Sequence, residues 1–227
     1  MFQGYSRETF EFFMAIRFNN NRDFFMANRD WYLRAVRQPS YALAEALAVV
    51  LRDIAPDLDY RPYRVVSRIN RDIRFSNDKS PYRDCLWLSF KSAGEEGKAM
   101  PGFYVDVRDE GVSYGMGFYR GNPDLMAALR RRMAVSADRL AYLLGDLAED
   151  GYGLFCVPGR RVKTPDGVPD ALRGLYCAKG FYMEKPIGDF AVIQSPKLAE
   201  EIGMGYQRLA PLYRYILDAG KESAPET

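Results

Sequence analysis

The sequence predicts an α+β fold, a single domain with an antiparallel sheet flanked by N-terminal and C-terminal helices. Three observations carry this. Apolar residues recur at helical spacing up to Pro56, at strand-like spacing from Tyr63 to Phe118, and largely at helical spacing again towards the C-terminus. The strand candidates follow one another directly, without the βαβ alternation of a doubly wound nucleotide-binding sheet. The 227 residues are 48% hydrophobic and 14% aromatic, enough to bury a sizeable core in one large domain. Among them are sixteen tyrosines, and a buried tyrosine needs a polar partner. The core is therefore expected to be threaded with side-chain hydrogen bonds, or to border an aromatic-lined cleft.

Each element has its own local cause. Ser6 is placed to cap a first helix whose stripe is Phe10, Phe13, Met14 and Ile16, ending in Asn19-Asn20-Asn21. A second helical stretch spans Asp23 to Val36. Pro39 suits the first turn of a third helix with Leu43, Leu47, Val50, Leu51 and Ile54 on one side, stopped by Pro56. Strands are expected at Tyr63–Val66, Cys85–Lys91, Phe103–Arg108 and Val112–Phe118. Asp109-Glu110-Gly111 makes the last two a hairpin. Ser92 to Met100 reads as a flexible loop. Asn122-Pro123 opens a helix through Leu125, Met126, Leu129 and Met133, and another runs to about Ala148. Gly151 to Gly180 reads as mostly irregular, with a short helix near Pro169–Leu175. Phe181–Ile187 reads as a further strand, and Pro196 opens a helix ending near Leu217. The domain is thus expected over residues 1–220, with a disordered tail at 221–227.

Composition excludes several functions. There is no histidine, which removes a histidine general base, a Ser-His-Asp triad and every histidine-ligated metal site. Cys85, Cys156 and Cys177 are odd in number and far apart, as in a reduced intracellular protein, and suit neither a disulfide framework nor zinc. Met-Phe-Gln-Gly-Tyr-Ser-Arg-Glu is no signal peptide, and the apolar Ala42–Leu51 run is too short to span a bilayer. The expectation is a cytoplasmic protein without membrane, metal or cofactor; oligomeric state is not legible.

Charge is concentrated. Between Arg61 and Arg83 seven Lys/Arg face two Asp, a net of +5 in a chain that totals +2. Arg68, Arg71 and Arg74 recur every third residue, so in one helical or 3₁₀ turn their guanidiniums would share a side. Arginine's planar fork suits a phosphate or carboxylate, and Lys79 and Tyr82 would add a point charge and a hydroxyl. Gly115 and Gly117, ahead of the helix opened by Asn122-Pro123, would supply backbone donors to the same anion. Any catalysis would use Asp72 or Asp78 as base. Two alternatives stand beside this pocket. The segment docks an acidic protein or a nucleic-acid backbone, or Asp72, Asp78 and Asp84 pair the arginines in a purely structural lattice. Strong nucleic-acid binding is not expected of a nearly neutral chain. Arg130-Arg131-Arg132 reads as a solvated helix face, with Arg130 next to the apolar stripe at Leu129 and so able to turn inward.

Phe2-Gln3-Gly4-Tyr5, Phe12-Phe13, Asn19-Asn20-Asn21, Arg68-Ile69-Asn70-Arg71-Asp72-Ile73-Arg74-Phe75-Ser76, and Asp78-Lys79-Ser80-Pro81-Tyr82 together resemble the uncharacterised bacterial and fungal family known as domain of unknown function 2461. Pro101-Gly102-Phe103-Tyr104, Gly115, Gly117, Tyr119, Leu125 and Arg130 extend the resemblance over essentially the whole chain. Arg83 departs from a usual lysine, and Asn21 to Phe25 from a usual Lys and Trp. The resemblance implies one α+β domain and strengthens the arginine segment as the site; it implies no reaction.

Overall fold

Residues 1–74, 77–92, 99–159 and 162–222 are described by the computed structural model. Five strands, β1 (Leu86–Phe90), β2 (Gly102–Arg108), β3 (Gly111–Phe118), β4 (Gly153–Val157) and β5 (Gly180–Ile187), form one antiparallel sheet in the order β1-β2-β3-β5-β4. With helices before, between and after them, the fold is α+β, the predicted class. The chain packs as two compact units. One holds Met1–Phe90, Tyr104–Tyr114 and Pro186–Met204; the other holds Lys91–Phe103, Gly115–Lys185 and Gly205–Thr227.

In the first unit, α1 (Arg7–Phe18) buries Phe10, Phe13 and Ile16 of its predicted stripe, but Phe12 is buried in place of Met14, which is exposed. Ser6 precedes it but makes no side-chain cap bond. The second helical stretch is broken into α2 (Arg22–Ala27), capped by Asn21, and α3 (Arg29–Tyr32). A π-helical turn, Leu33–Arg37, then leads into α4 (Gln38–Ile54). Pro39 explains a feature of that junction. It has no N–H to give to the carbonyl four residues back, Ala35, and the buried Thr9 hydroxyl donates there instead at 2.6 Å. Ser40 Oγ, one residue on, donates to Val36 O and shares a 3.0 Å hydrogen bond with the buried Tyr5 hydroxyl. The expected tyrosine hydrogen bonding is thus present in the core.

Tyr63–Val66, expected as a strand, is mostly α5 (Pro62–Val65). Pro62 opens it, and Arg61 O accepts from the Arg64 and Val65 N–H groups at 2.8 and 3.0 Å. A short helix not foreseen, α9 (Phe190–Ile193), is capped by the Asp189 side chain. Tyr5 N–H donates to Ile193 O at 3.0 Å. Gly4 makes this approach possible. Its φ is +102°, and a Cβ there would collide with the backbone of Gln194 and Ser195.

In the second unit, α6 (Pro123–Val135), α7 (Asp138–Glu149) and α8 (Asp170–Cys177) pack with the latter part of α10 (Lys197–Lys221). Phe103, Met126, Leu129, Leu140, Leu175, Phe181 and Tyr206 are fully buried there. The Gly151 to Gly180 section, expected to be mostly irregular, contains β4. It pairs antiparallel with β5 from Gly153↔Glu184 to Val157↔Gly180. Five residues are too short a run to carry a period of their own, and the pairing strand lies more than twenty residues away. The C-terminal helix continues past Leu217 to Lys221, so the first residue of the expected tail is helical. Residues 223–227 lie outside the described residues, as do 93–98 of the expected Ser92–Met100 loop. Among the described residues, no helix is long and apolar enough to cross a membrane.

Candidate functional site

The arginine segment is extended. Val66 bridges Leu88 and Asn70 bridges Tyr82, both antiparallel. Ser67 N–H donates to Trp87 O at 2.8 Å, Arg83 N–H to Ile69 O at 2.8 Å, and Arg71 N–H to Pro81 O at 2.9 Å. The two chains therefore form an arm that continues the β1 ladder. The helical or 3₁₀ turn expected for Arg68, Arg71 and Arg74 is corrected by these bonds, which can form only between extended chains. In extended chain successive side chains alternate, so a spacing of three puts Arg71 on the face opposite Arg68; Arg74 lies past the last ladder bond, at a bend where its N–H donates to Asp72 Oδ1 at 3.2 Å.

The arm is anchored from α1 and α2. Asn20 imitates a strand: its Nδ2 donates to Tyr82 O at 2.9 Å and its Oδ1 accepts from Tyr82 N–H at 3.0 Å. The Tyr82 ring is 6% exposed and stacks on Phe25 with centroids 4.3 Å apart. Tyr82 thus acts as an anchor for the arm. Arg17 grips Asp109 through two hydrogen bonds of 2.7 and 2.8 Å and Asp84 through a third of 2.7 Å.

From Asp84 the charges alternate onward. Arg71 Nη2 lies 4.0 Å from Asp84, and its Nη1 pairs with Asp78 at 2.6 Å. Asp109, Arg17, Asp84, Arg71 and Asp78 make a row of alternating sign. Burial raises the Asp84 carboxyl, but the hydrogen bond from Arg17, a backbone hydrogen bond and the charges of Arg17 and Arg71 together outweigh it and hold the group below the ordinary carboxylate value. Asp78 is held low by the backbone and side chain of Ser80.

Arg71 remains incompletely paired. Its Nε is buried and has no hydrogen-bond partner among the described residues, and its Nη2 is beyond hydrogen-bond reach of Asp84. The Nε–Nη2 edge is one of those with which a guanidinium forks a carboxylate or phosphate. Arg83 lies next to it. Burial lowers its pKa, and the positive charge of Arg71 pushes in the same direction. Arg68 is exposed, and its carbonyl accepts from Arg83 Nη1.

The other sequence candidates are engaged elsewhere. Arg74 holds Asp72 through Nε at 2.9 Å and Nη2 at 2.7 Å on the exposed side of the arm. That pair holds the Asp72 carboxyl down at about 2, which makes it a poor proton acceptor near neutrality. Lys79 Nζ donates to Ile73 O at 3.0 Å. Phe75 and Ser76 of the motif lie outside the described residues. Gly115 and Gly117 belong to the second unit and lie inside β3, not in a turn before a helix. Gly117 has φ +154°, and a Cβ there would strike Phe181 O and lie 2.5 Å from Tyr182 Cα. It serves a close approach of β5. The helix start that follows is capped by Asn122, whose Oδ1 accepts from Leu125 N–H at 3.0 Å.

Arg130 turns inward, as its place beside the apolar stripe allows, and Arg132, expected on the solvated face, is engaged as well. Arg130 donates to Tyr176 O and Ala178 O at the end of α8, at 2.7 and 2.8 Å. Arg132 binds Glu222 and Tyr215 O. Two surface cavities, of about 470 and 660 Å³, are lined from Gly4 to Pro39 in one unit and from Gly121 to Lys179 in the other; no arm residue lines either. Among the described residues, no group of three or more Cys, Asp or Glu could hold a metal ion. All three cysteines are free, and burial pushes the Cys85 and Cys156 thiols up.

Arg17, Asn20, Asp109 and Trp87 belong to this site without any local sequence pattern that marks them. Arg17 is separated from Asp84 by 67 positions and from Asp109 by 92, so no local pattern links them. The only signal was the Asn19-Asn20-Asn21 run, read as a helix end.

With this geometry in hand, comparison adds an identity. The family model of conserved hypothetical proteins designated DUF2461 matches residues 8–215, and the chain belongs to that family. No curated protein and no solved structure matches the chain.

Proposed function

We propose that the protein binds a small phosphorylated or carboxylated ligand at the arginine arm, with Arg71 as the principal contact. The supporting observation is the Nε–Nη2 edge of Arg71, a buried donor without a partner beside a carboxylate that stands 4.0 Å away. A buried unpaired donor costs about 1–3 kcal/mol, more when charged, and an anion on that edge would recover it. Arg83 adds like charge at the same place, which an anion would relieve. Arg68 is exposed on the opposite face of the arm, while Arg74 and Lys79 support the arm through Asp72 and Ile73.

A second reading has its own support. The row from Asp109 to Asp78 has more carboxylates than guanidiniums, so Arg71 can equally be one rung of a structural lattice.

Thermal unfolding with inorganic phosphate, phosphate monoesters and dicarboxylates separates the two. A ligand that binds only the folded state at a hundredfold excess over Kd stabilises by about 2.7 kcal/mol. Wild type should gain roughly 5–10 °C at that excess, and Arg71→Gln should gain nothing. The lattice predicts no gain in wild type and a lower melting temperature for Arg71→Gln without ligand. An equal gain in both proteins would place the anion away from Arg71 and refute the proposal.

A further inference from the structure

Next to Arg71 lies a cation that is held in place. Arg83 Nη1 donates to Arg68 O at 2.7 Å and to Asn70 O at 2.8 Å, while its Cζ sits 4.5 Å from the centroid of the Trp87 ring. Two carbonyl acceptors and an indole restrict this guanidinium, which makes it a preorganised surface. Arginine is the cation suited to such a place, because its plane is weakly hydrated and stacks on rings. Its lowered pKa has burial as the first cause, the same loss of hydration seen from another side.

Trp87 is on the open side of the sheet. Along β1, Leu86, Leu88 and Phe90 are buried while Trp87 and Ser89 are half-buried. On the neighbouring β2, Val105 and Val107 are buried while Tyr104 and Asp106 are half-buried. Two rings, Trp87 and Tyr104, therefore lie on the half-open side of adjacent strands. Asp106 does not make this face repel anions, because Arg108 donates to its Oδ2 through Nε at 2.9 Å and Nη2 at 2.7 Å.

From this juxtaposition we infer that the ligand is a phosphate monoester carrying a planar ring, its phosphate on Arg71 and its ring against the Arg83–Trp87 pair. The inference rests on the anion-binding reading above and adds the ring. A simple anion would use Arg71 alone, whereas a ring adds stacking on the guanidinium and indole. Stacking of the ring on the guanidinium and indole makes a preference of about tenfold the expectation.

Calorimetric titration with ethyl phosphate and phenyl phosphate tests it at low salt. Wild type should bind phenyl phosphate about tenfold more tightly than ethyl phosphate, and Trp87→Leu should lose that preference. A second readout does not need the Trp87 variant to fold. The chain has two tryptophans, so Trp31→Phe leaves Trp87 as the lone emitter. In that protein 4-nitrophenyl phosphate should quench the emission saturably, and ethyl phosphate should compete for the quench. Equal affinities for phenyl and ethyl phosphate, or no saturable quench, would overturn the ring and leave the anion site standing. Failure of every phosphate to bind would overturn both.

Discussion

Replacing Asn20 with alanine should loosen the arm more than any other single surface truncation near it. The side chain makes two hydrogen bonds to the backbone of one residue, 2.9 Å to Tyr82 O and 3.0 Å from Tyr82 N–H. Each typical bond contributes about 0.5–1.5 kcal/mol net, so their loss alone predicts about 1–3 kcal/mol. Tyr82 is almost wholly buried, so water refills its backbone groups poorly and the upper half of that range is expected. For a chain of this size that corresponds to a fall of roughly 4–12 °C in melting temperature. Denaturant titration gives the global value, and amide hydrogen exchange shows where the opening occurs. Arg71 and Arg83 N–H groups, which donate to Pro81 and Ile69, should lose protection first. Asn20→Asp is the informative partner. Its carboxylate can still accept from Tyr82 N–H but cannot donate to Tyr82 O, so it should recover only part of the loss. Unchanged protection at Arg71 and Arg83, with global stability within about 0.3 kcal/mol of wild type, would show that the arm does not depend on Asn20.

Two further outcomes follow from other parts of the molecule. Gly4→Ala places a Cβ at φ +102° against the Gln194–Ser195 backbone and should cost about 2 kcal/mol or more; a melting temperature within a degree of wild type would refute that docking. Stability should be flat between pH 5 and 8, because there is no histidine to titrate. Asp59, hydrogen-bonded to Arg61, and Asp72, hydrogen-bonded to Arg74, are both held at about 2 against an ordinary 3.8. A carboxylate lowered on folding stabilises above its unfolded value and stops doing so as pH falls through its folded value. Urea midpoints should therefore decline between about pH 4 and pH 2, and a decline that begins above pH 5 would contradict the assignment.

The sequence by itself determined the α+β class, α1, α4 and α6, the hairpin at Asp109-Glu110-Gly111, and the stretch where positive charge gathers. Each depends on near neighbours: apolar spacing along a helix, a proline in a first turn, a glycine at a hairpin, the local charge count. The absence of histidine is local in the same sense, and no fold can restore that chemistry. Tertiary structure alone decided that Arg68, Arg71 and Arg74 do not share a face. Their spacing of three has meaning only once the backbone conformation is known, and ladder bonds to Pro81, Arg83 and Trp87 make it extended. It also decided which arginine is left with an open edge. Asp78 reaches Arg71 from seven positions along the chain and Asp84 from thirteen, while Arg17 comes from α1 to hold Asp84. β4 depends in the same way on β5, and Thr9 on the carbonyl that Pro39 leaves without a donor. The physical reason is common to all of these. Periodicity and turn chemistry act within a few residues of the chain, whereas ion pairs and hydrogen bonds act over a few ångströms of space, and only the folded chain relates the two.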